Sequence, residues 1–197
     1  MSSAVTHITT AEPSRTDALI VVANTRHGPG GHHRARALTD GPDHDHLRDP
    51  ADARAYLVDH GIAVPAGAPP PAAIHRMAVL RDLVRREAAD RAPGTEQAPR
   101  PSDGEIAAAV DGVAFRLGLD GPRPVRSGWT GFVDGLLPAL LELRGVEARL
   151  RVCGNPRCRF AFIDRSRNRS RVWCESAACG NRIRVGRHRR RALHRPA

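Results

Sequence analysis

At 197 residues, with 41% hydrophobic side chains, the chain can build one ordinary domain, or a modest domain plus a small module, around a real core. Its formal net charge of +10 rests entirely on arginine, because the sequence contains no lysine, and aromatic residues make up only 4%. No apolar run reaches the roughly 18–20 residues of a membrane span. The opening MSSAVTHITTAEPSRTD lacks the apolar stretch of a secretory signal, so the expectation is a cytoplasmic protein whose thiols stay reduced.

Residues 1–17 are polar and are expected to form a disordered tail. LIVVA (19–23) predicts a short buried strand, followed by a loop rich in Gly, Pro, Asp and His that continues to about residue 50. His27, His32, His33, His44 and His46 fall in that loop, where they read as loop side chains rather than as a second metal site. ADARAYLVDHG predicts a short helix ended by Gly61, and PAGAPPP a rigid turn or linker. A longer helix is predicted over 71–91, where Ile74, Met77, Leu80, Val84 and Ala88 follow helical spacing. Ser102 and Glu105 form a capping-box pattern that starts a further helix over about 103–114. FRLGLDG suggests a strand and turn; TGFVDGLLPALLELR (130–144) suggests an apolar helix that Pro138 kinks or delays. The fold class is therefore α+β, with an α-rich N-terminal domain over residues 18–148.

Charge is distributed unevenly. Residues 149–197 hold 15 arginines against only Asp164 and Glu175, whereas the first 148 residues hold 16 basic and 19 acidic side chains. A mildly acidic body carrying a basic end points to a polyanionic partner.

The four cysteines lie in that basic end, as Cys153-x4-Cys158 and Cys174-x4-Cys179. Two short pairs about fifteen residues apart fit a zinc site, because each pair lets one turn offer two thiolates to one ion. Gly154, Asn155 and Pro156 are turn residues suited to bending the chain around a metal. Neither pair is C-x-x-C, which disfavours redox chemistry, and four ligands make a closed structural site. Between the pairs, RFAFID alternates Phe160 and Phe162 as a strand would, RSRNRS turns, and RVW leads back to Cys174. This outlines a hairpin between two knuckles, with the second pair opening a helix: residues 149–197 form a small treble-clef-like zinc finger with a basic C-terminal helix.

Within that helix, Ala178, Val185 and Ala192 recur every seven residues as an apolar seam, with Arg184, Arg187 and Arg191 opposite and Arg190 beside them. Arg165, Arg167, Arg169 and Arg171 alternate with polar residues and, if extended, share one face; Asn168 adds a neutral contact. Arg forks suit phosphate. Nothing composes an active site: HGPGGHH lacks the Gly-Lys-Ser/Thr ending of a P-loop, and Ser127, Ser166 and Ser170 have no nucleophile-elbow context.

CGNPRCRFAFIDRSRNRSRVWCESAACGNR resembles the CGNR zinc finger, whose naming tetrapeptide stands here at residues 179–182. The apolar run ending in Asn-Thr (LIVVANT), followed by a helical body, resembles the ABATE domain, which accompanies that finger in proteins described as bacterial regulators of stress-induced transcription. The resemblance implies one structural Zn²⁺ on Cys153, Cys158, Cys174 and Cys179, and a nucleic-acid surface that includes Arg182 and the following helix. The expected function is a zinc-dependent, DNA-binding transcription regulator rather than an enzyme, with double-stranded DNA as partner and a possible homodimer through the N-terminal domain. Two alternatives stand beside it: an RNA-binding zinc-finger protein, and a zinc-stabilised adapter for an acidic protein.

Overall fold

The computed structural model describes residues 13–28, 44–90 and 100–193, with side chains to residue 189. His32 and His33, and all but the last few residues of the expected N-terminal tail, lie outside the described residues.

Helix α1 spans Arg15–Ala23 and begins inside the segment expected to be a tail. The reason is local. Ser14 accepts from the Asp17 amide while the Asp17 carboxylate accepts from the Ser14 amide, a capping box that sets a helical start. The apolar run LIVVA is therefore helix, not strand. A run this short and this uniformly apolar suits either conformation once buried, and the cap upstream decides. Leu19, Val22 and Ala23 are fully buried, and α1 packs on two longer helices described below.

Strand β1 (Arg26–His27) pairs antiparallel with β2 (His44–Asp45), placing Arg26 opposite Asp45 and His27 opposite His44. A 3-10 turn over His46–Arg48 leads into α2 (Pro50–Asp59), where Asp49 accepts from the amides of Ala51 and Asp52 and Pro50 takes the first turn. Gly61, at φ 76°, follows the end of α2 as expected. Helix α3 (Pro71–Asp90) buries Met77, Leu80, Val84 and Ala88 along the predicted stripe.

Helix α4 (Asp103–Val110) starts with the predicted Ser102–Glu105 box but stops four residues short of the expected 114, where Asp111 turns extended and Gly112 takes φ 61°. The hairpin of β3 (Phe115–Gly118) and β4 (Gly121–Pro124) follows. Helix α5 (Gly128–Val146) continues unbroken past Pro138 and starts before residue 130, so the proline neither delays nor ends it.

Strands β5 (Leu150–Val152) and β6 (Ala161–Ile163) form an antiparallel hairpin that closes around the first cysteine pair. The hairpin thus surrounds one knuckle rather than separating two. Leu150 and Ala161 belong to the same core as Leu19, Tyr56, Met77 and Val133, so the apolar interior continues from the helical body into the finger. Asn24 fixes that junction: its side chain donates to the Ala161 carbonyl at 2.9 Å and accepts from the Ala161 amide at 2.8 Å. Tyr56 Oη in turn donates to the Asn24 carbonyl at 3.0 Å.

A second buried device ties the body together. Asp134, with no exposed surface, accepts from Arg76 Nη2 at 2.6 Å and from Arg126 Nε and Nη2, each at 2.7 Å. Arg76 Nε also donates to the Ala109 carbonyl, joining α3, α4 and α5. Burial works to raise the Asp134 pKa; the hydrogen bonds from Arg126 and Arg76 overcome it and hold the carboxyl below its ordinary value.

Candidate metal centre and arginine surface

The four sulfurs meet where the sequence motif brings them. All lie within 4.8 Å of one another, with Cys158 and Cys174 at 3.6 Å and Cys174 and Cys179 at 3.8 Å. Tetrahedral zinc–thiolate bonds of about 2.3 Å space sulfurs about 3.8 Å apart, so the donor set fits one zinc ion in type, number and spacing. Cys153, Cys158 and Cys179 are buried and Cys174 is half-buried, which makes a closed structural site.

The first knuckle is built around Asn155. Its side-chain oxygen accepts from the Arg157 amide at 3.1 Å, and its carbonyl accepts from the amides of Cys158 and Arg159. Its Nδ2 donates to Cys179 Sγ at 3.4 Å, so this residue reaches across to the second pair and sustains the charge of that thiolate. Spacing alone identified Asn155 only as a turn former. Gly154 is required by packing, since a Cβ there would lie 2.8 Å from Val172 Cγ1.

Of the second pair, Cys174 precedes and Cys179 lies within a π-helical turn over Ser176–Gly180, which leads directly into α6 (Asn181–Leu193). The Cys179 amide donates to the Glu175 carbonyl at 2.9 Å, and a Cβ on Gly180 would lie 2.9 Å from Trp173 Cδ1. Cys179 therefore sits at the positive end of α6, where a thiolate is favoured. Four thiols this close cannot all ionise without a cation. Hydrogen bonds led by that from Cys158 lower Cys153 to about 7, and Cys179 is lowered too, whereas Cys158 and Cys174 are pushed up, in each case chiefly through Cys153. Zinc supplies the missing positive charge.

The arginine loop is compact rather than extended. Asp164 is fully buried and gathers the chain: its carboxylate accepts from the Ser166 amide and hydroxyl and from the Arg171 amide, and Arg149 donates to the carbonyls of Asp164 and Ser166. Arg169 takes φ 50° within this turn. The four loop arginines consequently divide. Arg165 pairs with Asp17 of α1 at 2.6 Å. Arg171 lies 5.2 Å from the Phe162 ring centroid and donates to the Cys174 carbonyl, bracing the second knuckle. Arg167, Asn168 and Arg169 are exposed at the tip.

On α6, Arg182, Arg184 and Arg187 are exposed, as is Arg189; the side chains of Arg190 and Arg191 lie outside the described residues. Arg184 Nη2 donates to the Ser176 carbonyl at 3.4 Å. The inner edge differs from the expected seam: Ile183 and Gly186 are half-buried, whereas Val185 is 40% exposed. The π turn is the cause. Its extra residue shifts the helical phase relative to the continuous α-helix from Glu175 that the expected seam requires.

Three loop histidines also prove to be ordered. His46 Nδ1 and His44 Nε2 both approach Asp52 Oδ2, at 2.9 and 2.8 Å, and His27 Nε2 lies 3.1 Å from His46 Nε2. Burial, the largest influence, lowers the His46 pKa to about 4 even though Asp52 pulls the other way. The alternation His44-x-His46 is the sequence signal for two members of this group; the partner Asp52 is supplied by the start of α2.

Comparison with protein families matches residues 149–192 to the CGNR zinc finger and residues 17–148 to the ABATE domain, described as "Putative stress-induced transcription regulator". No curated protein matches the chain. Among the described residues, no helix is long and apolar enough to cross a membrane.

Proposed function

Because the chain belongs to the ABATE family and ends in a CGNR zinc finger, we propose that it is a transcription regulator which grips double-stranded DNA through an arginine surface ordered by zinc. The observation that carries this reading is the contrast in how charges are used. In the body, Arg76, Arg81 and Arg126 are spent on Asp134, Asp45 and Asp82. Around the metal, Arg167, Arg169, Arg182 and Arg187 are exposed and make no ion pair among the described residues. Such guanidinium groups are available for phosphate, and a 13-residue helix, about 20 Å long, spans several successive phosphates.

Duplex is favoured over single strands because the finger keeps its aromatics inside. Phe160 and Phe162 are buried and the half-buried Trp173 packs on the cysteine cluster, so among the described residues the finger offers no fully exposed Phe, Tyr or Trp ring for stacking on bases. Zinc dependence follows from the construction of the surface: the arginine loop and α6 are both joined to the cysteine ligands. The N-terminal domain would pair two copies, and the β3–β4 hairpin supplies an apolar tip for this in Leu117 and Leu119, which are 89% and 108% exposed.

The test is competition between duplex DNA, structured RNA and an acidic protein ligand for the zinc-loaded full chain, over a salt series. The reading expects preference for duplex and a steep loss of affinity with salt. Preference for RNA would replace it with the RNA-binding reading. No nucleic-acid affinity at physiological salt, together with retention of an acidic partner, would replace it with the adapter reading.

A further inference from the structure

The cysteine site leaves unused a second set of metal-ligating side chains, at the junction of β2 and α2. His44 Nε2, His46 Nδ1 and Asp52 Oδ2 lie within 4.8 Å of one another, and both histidine nitrogens face the same carboxylate oxygen at 2.8 and 2.9 Å. The neighbouring carboxylate, Asp45, is already taken by Arg81 at 2.8 Å, so Asp52 is the carboxylate available to the two rings.

The adjoining hydrogen bonds show where a cation fits. His27 Nδ1 faces the Gly28 carbonyl at 2.9 Å, and a carbonyl can only accept, so Nδ1 carries hydrogen. In a neutral ring, His27 Nε2 then has a lone pair, and its contact with His46 Nε2 at 3.1 Å requires hydrogen on His46. That leaves a lone pair on His46 Nδ1, directed at a carboxylate oxygen 2.9 Å away. Two neutral imidazoles bring two protons to three gaps. The third gap, between His46 Nδ1 and Asp52 Oδ2, is closed either by a proton, as an imidazolium–carboxylate pair on a ring only 4% exposed and flanked by two further histidines, or by a metal ion.

We propose that His44, His46 and Asp52 form a second metal site, for a divalent first-row transition ion such as zinc. His44 Nε2, His46 Nδ1 and Asp52 Oδ2 are the ligands, and the remaining coordination position is open to water or a small anion. The tautomers derived above are those that a metal demands: His46 presents Nδ1, and its Nε2–H is held by His27, the outer hydrogen bond that orients a metal-ligating imidazole. An N2O donor set with an open position suits zinc and its neighbours, whereas the four thiolates of the finger form a closed site. At bond lengths of about 2.0–2.1 Å, tetrahedral donors stand about 3.3 Å apart, so each histidine nitrogen needs to move away from Asp52 Oδ2 by only about half an ångström. The exposed side of the site is provided by His44, whose side chain is 54% exposed.

The site is joined mechanically to the finger. The Gly28 amide donates to the Cys158 carbonyl at 3.4 Å, and a Cβ on Gly28 would lie 2.6 Å from the Arg157 carbonyl oxygen. The same residue whose carbonyl anchors His27 therefore rests on the first zinc knuckle.

Metal analysis of the full-length chain after equilibrium dialysis against micromolar zinc tests the proposal, with His44→Gln and Asp52→Asn as variants. The wild type is expected to hold about two zinc ions per chain, one in each site. His44→Gln removes an exposed ligand and should retain the finger's ion while weakening the second by at least about tenfold. Cobalt substitution reports the sites separately: the intense thiolate-to-metal absorption belongs to the finger and stays unchanged in both variants. Nitrogen shifts of the histidine rings on zinc addition give a readout on the wild type alone, with His46 Nδ1 moving as a metal-bound nitrogen. One zinc per chain in the wild type would overturn the proposal. So would a second equivalent that both variants bind with undiminished affinity.

Discussion

The helical body and the finger hold themselves together in opposite ways. The body buries its charges in pairs, as in Arg76–Asp134–Arg126, and fills its interior with Leu, Val, Met and Ala from α1, α3 and α5. The finger buries three of its four cysteines, two phenylalanines and two polar anchors, Asn155 and Asp164, and leaves most of its described arginines exposed. One region has enough apolar surface to be a domain; the other uses metal in place of a core. The difference leaves Arg167, Arg169, Arg182 and Arg187 exposed, while Arg149, Arg165, Arg171 and Arg184 brace the loop and the second knuckle.

The largest test of that contrast is loss of the metal. Cys158→Ser, or zinc removal by a chelator, forfeits a binding free energy of about 10–16 kcal/mol that is folding energy for such sites. Because β5 and β6 contribute Leu150 and Ala161 to the common core, the body should lose stability along with the finger. A calorimetric scan that shows an unchanged body transition would separate the two regions after all.

Within the body, Asp134→Ala strands two arginines and should cost about 3–5 kcal/mol by urea unfolding, with zinc content unchanged. Acid acts on the same residue. Its folded pKa lies below the ordinary carboxylate value, so its contribution is complete above about pH 4 and is lost as pH falls through the folded value. The urea midpoint should therefore decline below pH 4 in the wild type and less steeply in Asp134→Ala.

At the junction, Asn24→Ala leaves the Ala161 amide and carbonyl buried without their partner and should cost about 3 kcal/mol. Equal destabilisation of zinc retention and of the body transition would show that the junction couples them. The smallest effect is at Gly186, where a Cβ meets nothing within 4 Å. Gly186→Ala should stabilise α6 by about 0.5–1 kcal/mol, measurable as a modest rise in helicity and melting temperature.

The sequence announced whatever depends on local pattern. The α3 stripe, the Ser102 box and the two cysteine pairs are all written within a few residues. It concealed what depends on distant partners. LIVVA is helix because α3 and α5 bury it from two sides, although the Ser14–Asp17 box that starts it is a local signal of the same kind as the Ser102 box. Asp164 curls the arginine loop through contacts that alternation along an extended strand does not reveal. His27, His44 and His46 come together through a pairing of β1 with β2 and the approach of Asp52 from α2, none of which has a periodic signature. The π turn before α6 likewise leaves no mark in composition, yet it rotates every arginine after it.

The most direct measurement of the central claim is the salt dependence of duplex DNA binding by the zinc-loaded chain and by its Arg167→Ala, Arg169→Ala, Arg182→Ala, Arg187→Ala combination. Each phosphate contact adds about 0.9 to the slope of log affinity against log salt. The account predicts that the combined variant keeps its zinc and its unfolding transition while the slope falls by about 3–4. An unchanged slope with weakened or intact binding, or a wild type without DNA affinity, would contradict it.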